Sequence, residues 1–206
     1  MARKKDQAKR RAEIADAMVG LLAERESHNI SYADVAKQVG MTPGAIGYYF
    51  PSLDELVLQA HSAAIEQETA ATLVVASRFK DPRDQLIGLI EHRVPNGPDP
   101  GWRILADAVL TAMTSVSHAV LLASLLEHQT AIFCDVLERG VAQEVFELKG
   151  DLRRIARTLT HLIDKVGFET QIALSAMSHQ EARAIVVDYA TMVTGADLWD
   201  RMSPPG

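Results

Sequence analysis

The stretch that most constrains the fold is Ser31 to Phe50, SYADVAKQVGMTPGAIGYYF, where two helix starts and a helix stop are packed into one short run. Ser31 followed three residues later by Asp34 is a capping-box start: the hydroxyl can accept from a free backbone amide while the carboxylate reaches back to the N-cap amide. A short helix is predicted over Tyr32 to Val39. Gly40 ends it, and Thr42-Pro43 starts the next, because threonine caps well and proline at the first helical position gives up no hydrogen bond. Two helices joined by so tight a turn meet at a steep angle, and three residues fit that geometry. Ala36 is small where the helices approach, Gly40 permits positive φ, and Ile46 faces inward to fill the angle. Val35, Val39 and Phe50 complete the small core.

The surrounding pattern is helical throughout. Ile14, Met18, Leu21 and Leu22 recur at helical spacing, predicting a first helix to about Glu26. Pro51-Ser52 stops the third helix near Phe50, and Ser52-Leu53-Asp54-Glu55 repeats the capping box ahead of a long fourth helix towards Arg78. Further helices are expected from Asp81-Pro82 to Arg93, Trp102 to Met113, Ser117 to Arg139, Leu152 to Ala176 and from the Ser178 to Glu181 capping box onward. Between the first two of these, VPNGPDPG cannot continue a helix. The nearly uncharged run Val109 to Leu126 reads as buried core helix; Thr111, Thr114, Ser115, Ser117 and His118 interrupt a membrane-spanning reading.

With Ile46 and Phe50 inward, the helical step of about 100 degrees sends Gly44 and Tyr48 outward, flanked by Ala45 and Gly47. That outer face is almost bare. Two glycines in a short helix cost about 1 kcal/mol each relative to alanine, a cost that close approach of the backbone to another molecule would offset. A slender helix of this kind fits a DNA major groove, with Ala45 near a thymine methyl and Tyr48 against bases or phosphates.

The segment Ser31 to Leu56, SYADVAKQVGMTPGAIGYYFPSLDEL, resembles the DNA-binding segment of the TetR family of transcription regulators. The resemblance implies phosphate or base contacts from Ser31, Lys37, Thr42, Pro43, Gly44, Ala45, Tyr48 and Tyr49, and Gly47 joins the candidates as a flank of the same outward face. Two positions depart from the usual pattern: Gly47 stands where tyrosine is frequent, and Leu53 where a lysine often touches phosphate. The N-terminal basic arm, with Arg3, Lys4, Lys5, Lys9, Arg10 and Arg11, is read in two ways, as compensation for the lost contact or as a solvated tail. LERGVAQEVFELKGDL, from Leu137 to Leu152, is similar to the turn between late helices in regulators with a BetI-like C-terminal domain.

Charge supports a division of labour. The whole chain has net charge -6, which by itself disfavours a polyanionic partner, yet residues 1–52 carry eight Lys/Arg against six Asp/Glu while the remainder is strongly acidic. The expectation is therefore an all-α chain: residues 1–52 form a three-helix helix-turn-helix DNA-binding domain with a basic N-terminal arm, and residues 53–206 form a larger helical effector-binding and dimerisation domain. Leu152, Ile155, Leu159, Leu162 and Val166 make one apolar stripe with Phe168 and Ile172 outside it; a helix with two apolar surfaces needs two partners, either a homodimer through the last two long helices or packing within one subunit. Trp102, Met113, Phe133, Cys134, His161, Asp164 and Phe168 are candidates to line a small-molecule effector pocket. The lone Cys134 excludes an intramolecular disulfide and suits a reducing cytoplasm. No cofactor, metal or membrane partner is expected, since His161 and Asp164 alone do not make a metal motif.

The leading function is a ligand-responsive transcription regulator, most simply a repressor that a small molecule releases from a double-stranded DNA operator. An all-helical enzyme is the alternative from another class, and it lacks a nucleophile elbow or a phosphate-binding glycine loop. A helical interaction module without DNA binding is the third reading.

Overall fold

The computed structural model describes residues 2–172 and 175–202, with side chains from Asp6 onward. Its elements are α1 (Ala2–Leu22), α2 (Tyr32–Val39), α3 (Pro43–Tyr49), α4 (Leu53–Ser77), α5 (Pro82–Arg93), α6 (Pro100–Ala112), α7 (Val116–Ala142), α8 (Leu152–Thr170) and α9 (His179–Thr194), with 3-10 turns at Ser27–Asn29 and Trp199–Arg201. There is no strand among the described residues.

The chain packs as two compact units. The first comprises Met1–Glu68 and Pro100–Ala123, the second Thr69–Asp99 and Ser124–Gly206, so the division falls inside α4 and α7. The first unit thus holds more than the residues before position 53: the start of α4 and all of α6 belong to it as well. Its core is Ile14, Met18, Leu22, Val35, Ala36, Ile46, Phe50, Leu56 and Ala60, joined by Ile104 of α6. These residues recur at the spacing that puts them on the inner face of each helix, which is why short helices of low intrinsic stability hold their shape here.

The second unit is built around α5, α8 and α9. Leu86, Leu89 and Ile90 of α5, Ile155, Leu159 and Ile163 of α8, and Ala182, Val186 and Ala190 of α9 are buried together. Phe146, in the turn after α7, lies so close to Gly140 that a Cβ there would sit 1.9 Å from its ring. The same turn is tied to the end of α9 by Glu147 N–H to Thr194 O at 2.7 Å and Lys149 N–H to Val193 O at 2.9 Å. These bonds satisfy backbone groups that no helix could pair.

Several helix limits differ from expectation. The first helix stops at Leu22, and Glu26 instead precedes the turn Ser27–Asn29. The basic arm is the opening of α1. The eighth helix ends at Thr170, six residues before Ala176. The run Val109 to Leu126 is not one buried helix: it breaks between α6 and α7, where Ser115 caps α7, and Val109, Leu110, Met113, Val116 and Val120 are 42 to 82 % exposed. Absence of charge marked the run as apolar, but a short hydroxyl-rich turn satisfies backbone groups locally and can interrupt such a run. In α9 the inner face is taken by Ala182, Val186, Val187 and Ala190, while Met192 is exposed.

Candidate nucleic-acid interface

Each of the two short helices is capped at its N-terminus by a side chain, and α2 is closed at its C-terminus by a glycine backbone. Ser31 Oγ accepts from Asp34 N–H at 3.4 Å, while the Asp34 carboxylate accepts from both Ser31 N–H, at 2.8 Å, and Ser31 O–H, at 2.6 Å. Those bonds from Ser31, aided by Arg25 at 3.0 Å, pull the Asp34 pKa down to about 2. Gly40 adopts φ +66°, the left-handed cap that glycine takes without a Cβ penalty, and Met41 N–H returns to Ala36 O at 2.9 Å. Thr42 Oγ1 then accepts from Ala45 N–H at 3.2 Å and Pro43 occupies the first turn.

Ile46 and Phe50 are fully buried, so the outer face of α3 is fixed. Thr42, Pro43, Gly44 and Tyr48 are exposed, Tyr48 to 69 %; Ala45, Gly47 and Tyr49 are half-buried at its edges. A Cβ added at Gly44 or Gly47 would meet nothing within 4 Å, so nothing inside the protein demands either glycine. Tyr48 packs edge-on to Tyr49 with ring centroids 5.3 Å apart. Lys37 and Ser31 are exposed on α2 and its cap, although the Ser31 hydroxyl proton is committed to Asp34. An open groove between α1 and the end of α3 is lined by Lys9, Arg10, Tyr48 and Tyr49, with Asp6 and Glu13 as opposing charges. The side chains of Arg3, Lys4 and Lys5 lie outside those described.

Arg11 has a different part from the rest of the basic segment. Its guanidinium donates to the Tyr49 carbonyl and to Glu55 Oε1 at 2.7 Å, and it lies 4.0 Å from the centre of the Phe50 ring. A cation on the last carbonyls of α3 opposes the negative end of that helix and clamps it against α4. Tyr32 adds a second clamp, its O–H donating to Phe50 O at 2.7 Å. Sequence reasoning missed both, because partners 38 and 18 residues apart leave no local pattern.

The effector candidates do not converge. Trp102 and Met113 lie in the first unit, Trp102 buried and Met113 79 % exposed. Of the five in the second unit, His161 is exposed, Cys134 and Phe168 are half-buried, and only Phe133 and Asp164 line one cavity. That cavity, about 10 Å³, is completed by Thr72, Arg93, Gln129, Thr160 and Ile163. Arg93 donates to Asp164 Oδ1 at 2.8 Å, and turning the Gln129 carboxamide over brings its oxygen to 2.5 and 3.0 Å from the same guanidinium. Burial lifts the Asp164 pKa above the ordinary carboxylate value against the pull of Arg93. Arg93 and Gln129 escaped notice in the sequence, one as a helix-end residue and the other as a polar interruption in an apolar helix. No group of three or more metal-ligating side chains is found among the described residues.

A capped helical pair that exposes a thin second helix defines a helix-turn-helix protein of the nucleic-acid-binding class. Residues 14–60 match the model of the bacterial regulatory proteins, tetR family, so this segment is similar to the DNA-binding domain of that family. The HTH-type transcriptional regulator PksA of Bacillus subtilis is 29 % identical over 99 residues, 48 % of each chain, so the match spans about half the length of that relative. Two solved structures share the fold. A transcriptional regulator from Saccharomonospora viridis in complex with choline has a TM-score of 0.79 at 21 % identity, covering 88 % of this chain and 95 % of its own. A TetR transcription regulator from Haloarcula marismortui has a TM-score of 0.80 at 19 % identity, covering 92 % and 99 %.

Proposed function

We propose that this chain is a cytoplasmic, ligand-responsive repressor that binds a double-stranded DNA operator as a homodimer. The observation that carries the reading is the outer face of α3: Tyr48 and Gly44 exposed beside the Thr42 cap, with empty space around both glycines. Residues 1–52 supply the contacts and residues 53–206 the effector and dimer surfaces. Tyr48 and Ala45 meet base edges, while Lys37, Thr42, Pro43, Tyr49 and the N-terminal end of α3 meet phosphates; Arg3, Lys4 and Lys5 add sequence-independent attraction. Ser31 acts through its cap, since its hydroxyl already serves Asp34.

The dimer forms through α8 and α9 and sets two recognition helices about 34 to 36 Å apart, one turn of DNA. Exposed Ile172 and Met192, outside the buried stripe, support a second apolar surface there. A small molecule taken up by the second unit lowers operator affinity only by binding the DNA-incompetent conformation better. The cavity at Arg93 and Asp164, about 10 Å³, has room for about one water and lies far below an ordinary ligand pocket of about 300 to 1,000 Å³, so taking up a small molecule there requires the surrounding side chains to move apart. That a structurally similar regulator was solved with choline supports a small-molecule effector in this fold.

The test is selection of duplexes from a random pool by the full-length protein, followed by gel shift of the enriched sequence. A discrete operator whose binding is lost in Tyr48→Ala is the expected result. Absence of any enriched sequence, or undiminished binding by Tyr48→Ala, would contradict the reading.

A further inference from the structure

Inside the first unit lies a chain of buried polar side chains that the DNA-binding reading does not use. His61 of α4 is fully buried, His118 of α7 is 2 % exposed and Asp107 of α6 is 6 % exposed. His61 Nε2 stands 3.2 Å from Asp107 Oδ2, within ion-pair distance, and both atoms are buried without a hydrogen bond of good geometry to any group. On its other side His61 Nδ1 is 3.1 Å from His118 Nε2, and His118 Nδ1 is 3.0 Å from Ser115 Oγ. The remaining Asp107 oxygen accepts from Ser27 N–H at 2.9 Å, four residues before Ser31 caps α2.

Only one neutral arrangement satisfies this chain. A bare His61 Nε2 would put its lone pair against the Asp107 carboxylate, so that nitrogen carries the proton and Nδ1 is the acceptor. His118 Nε2–H therefore donates to His61, and His118 Nδ1 accepts from the Ser115 hydroxyl. One added proton is accommodated by shifting each hydrogen along: it arrives at His118 Nδ1, the Nε2 proton of His118 passes to His61 Nδ1, and the charge settles on His61 beside Asp107. Ser115 Oγ then becomes the acceptor. A second proton places an N–H on both sides of the 3.1 Å gap, and the two rings must part.

We propose that His61, His118 and Asp107 form a proton-gated latch that positions the turn leading into α2 and α3, closed with no proton or one added to the histidine pair and open with two. The charged groups bearing on the pair are Asp107 from α6 and Asp54 from the start of α4; α7 and the turn after α1 contribute the Ser115 hydroxyl and the Ser27 amide. Burial, and then the neighbouring His61, hold the His118 pKa below the ordinary histidine value, which resists the second proton. The link to DNA rests on the function proposed above; the latch does not.

The experiment follows the full-length protein from about pH 8 to about pH 5, the window in which imidazoles titrate. Ring-nitrogen NMR is expected to show protons on both Nε2 atoms at the upper end and one shared proton gained before a second, separate step. Amide exchange at Ser27 to Ile30, corrected for intrinsic rates, is expected to rise about tenfold over that second step. In His118→Gln the carboxamide still donates to His61 and cannot be protonated, so the acid rise disappears. Two rings titrating independently with unchanged exchange would overturn the latch, as would the same acid rise in His118→Gln. If that variant does not fold, the wild-type ring titration decides alone. Operator affinity in the same buffers falls together with protection; unchanged affinity beside lost protection overturns the link to DNA and leaves the latch supported.

Discussion

Glycine does opposite work in the two units. In α3, Gly44 and Gly47 are surrounded by empty space, whereas Gly140 of α7 is pressed by Phe146 to a distance that leaves no room for a methyl group. The first arrangement weakens a helix with no internal return, and the second lets a turn close over a core. A residue type that looks uniform in sequence therefore marks an outward demand in one place and an inward one in the other.

The comparison breaks most sharply at Gly140. Alanine there must displace the Phe146 ring, and overpacking of this kind costs about 1 to 3 kcal/mol, so calorimetry should show Tm lowered by several degrees with operator affinity intact in the cold. An unchanged Tm would remove the inward half of the contrast. Next in size is Arg11→Met, which deletes the clamp on the end of α3. Since both Arg11 and Glu55 are partly exposed, the stability loss is about 1 kcal/mol. Operator affinity should fall while the slope of log affinity against log salt stays as it was; a slope reduced by about one would instead make Arg11 a phosphate contact.

Smaller effects are expected at the outer face of α3. Gly44→Ala and Gly47→Ala each remove backbone freedom at no internal cost, and each should stabilise the chain by up to about 1 kcal/mol while weakening operator binding. Stabilised variants that bind as before would show that the bare face serves nothing outside the protein. The smallest effect concerns Asp34. With its pKa at about 2 instead of 3.8, its contribution is complete above the ordinary value and is lost as pH falls through the lower one. Denaturant titrations should thus show wild type losing more stability than Asp34→Asn between about pH 5 and about pH 2; parallel curves would mean the cap carries no charge-dependent stabilisation.

The helical caps and the inward pair Ile46 and Phe50 were legible because they depend on neighbours within a turn or two. Ser31 with Asp34, Gly40, and Thr42 with Pro43 all do in the structure what their spacing required. The effector side was poorly legible. Trp102 and Met113 sit in a different unit from Phe133 and Asp164, and the cavity drew Arg93 and Gln129 from helices whose local pattern gave no reason to join them.

By itself the amino-acid order determined the helical class, the position of the helix-turn-helix and which face of α3 looks outward, because periodicity and capping are short-range and each is repeated over several residues. Tertiary packing alone decided that Arg11 braces α3, that the uncharged run after Val109 breaks and is partly exposed, and that His61, His118 and Asp107 meet. Such contacts join residues tens of positions apart, and they exist only once the helices around them have chosen their neighbours.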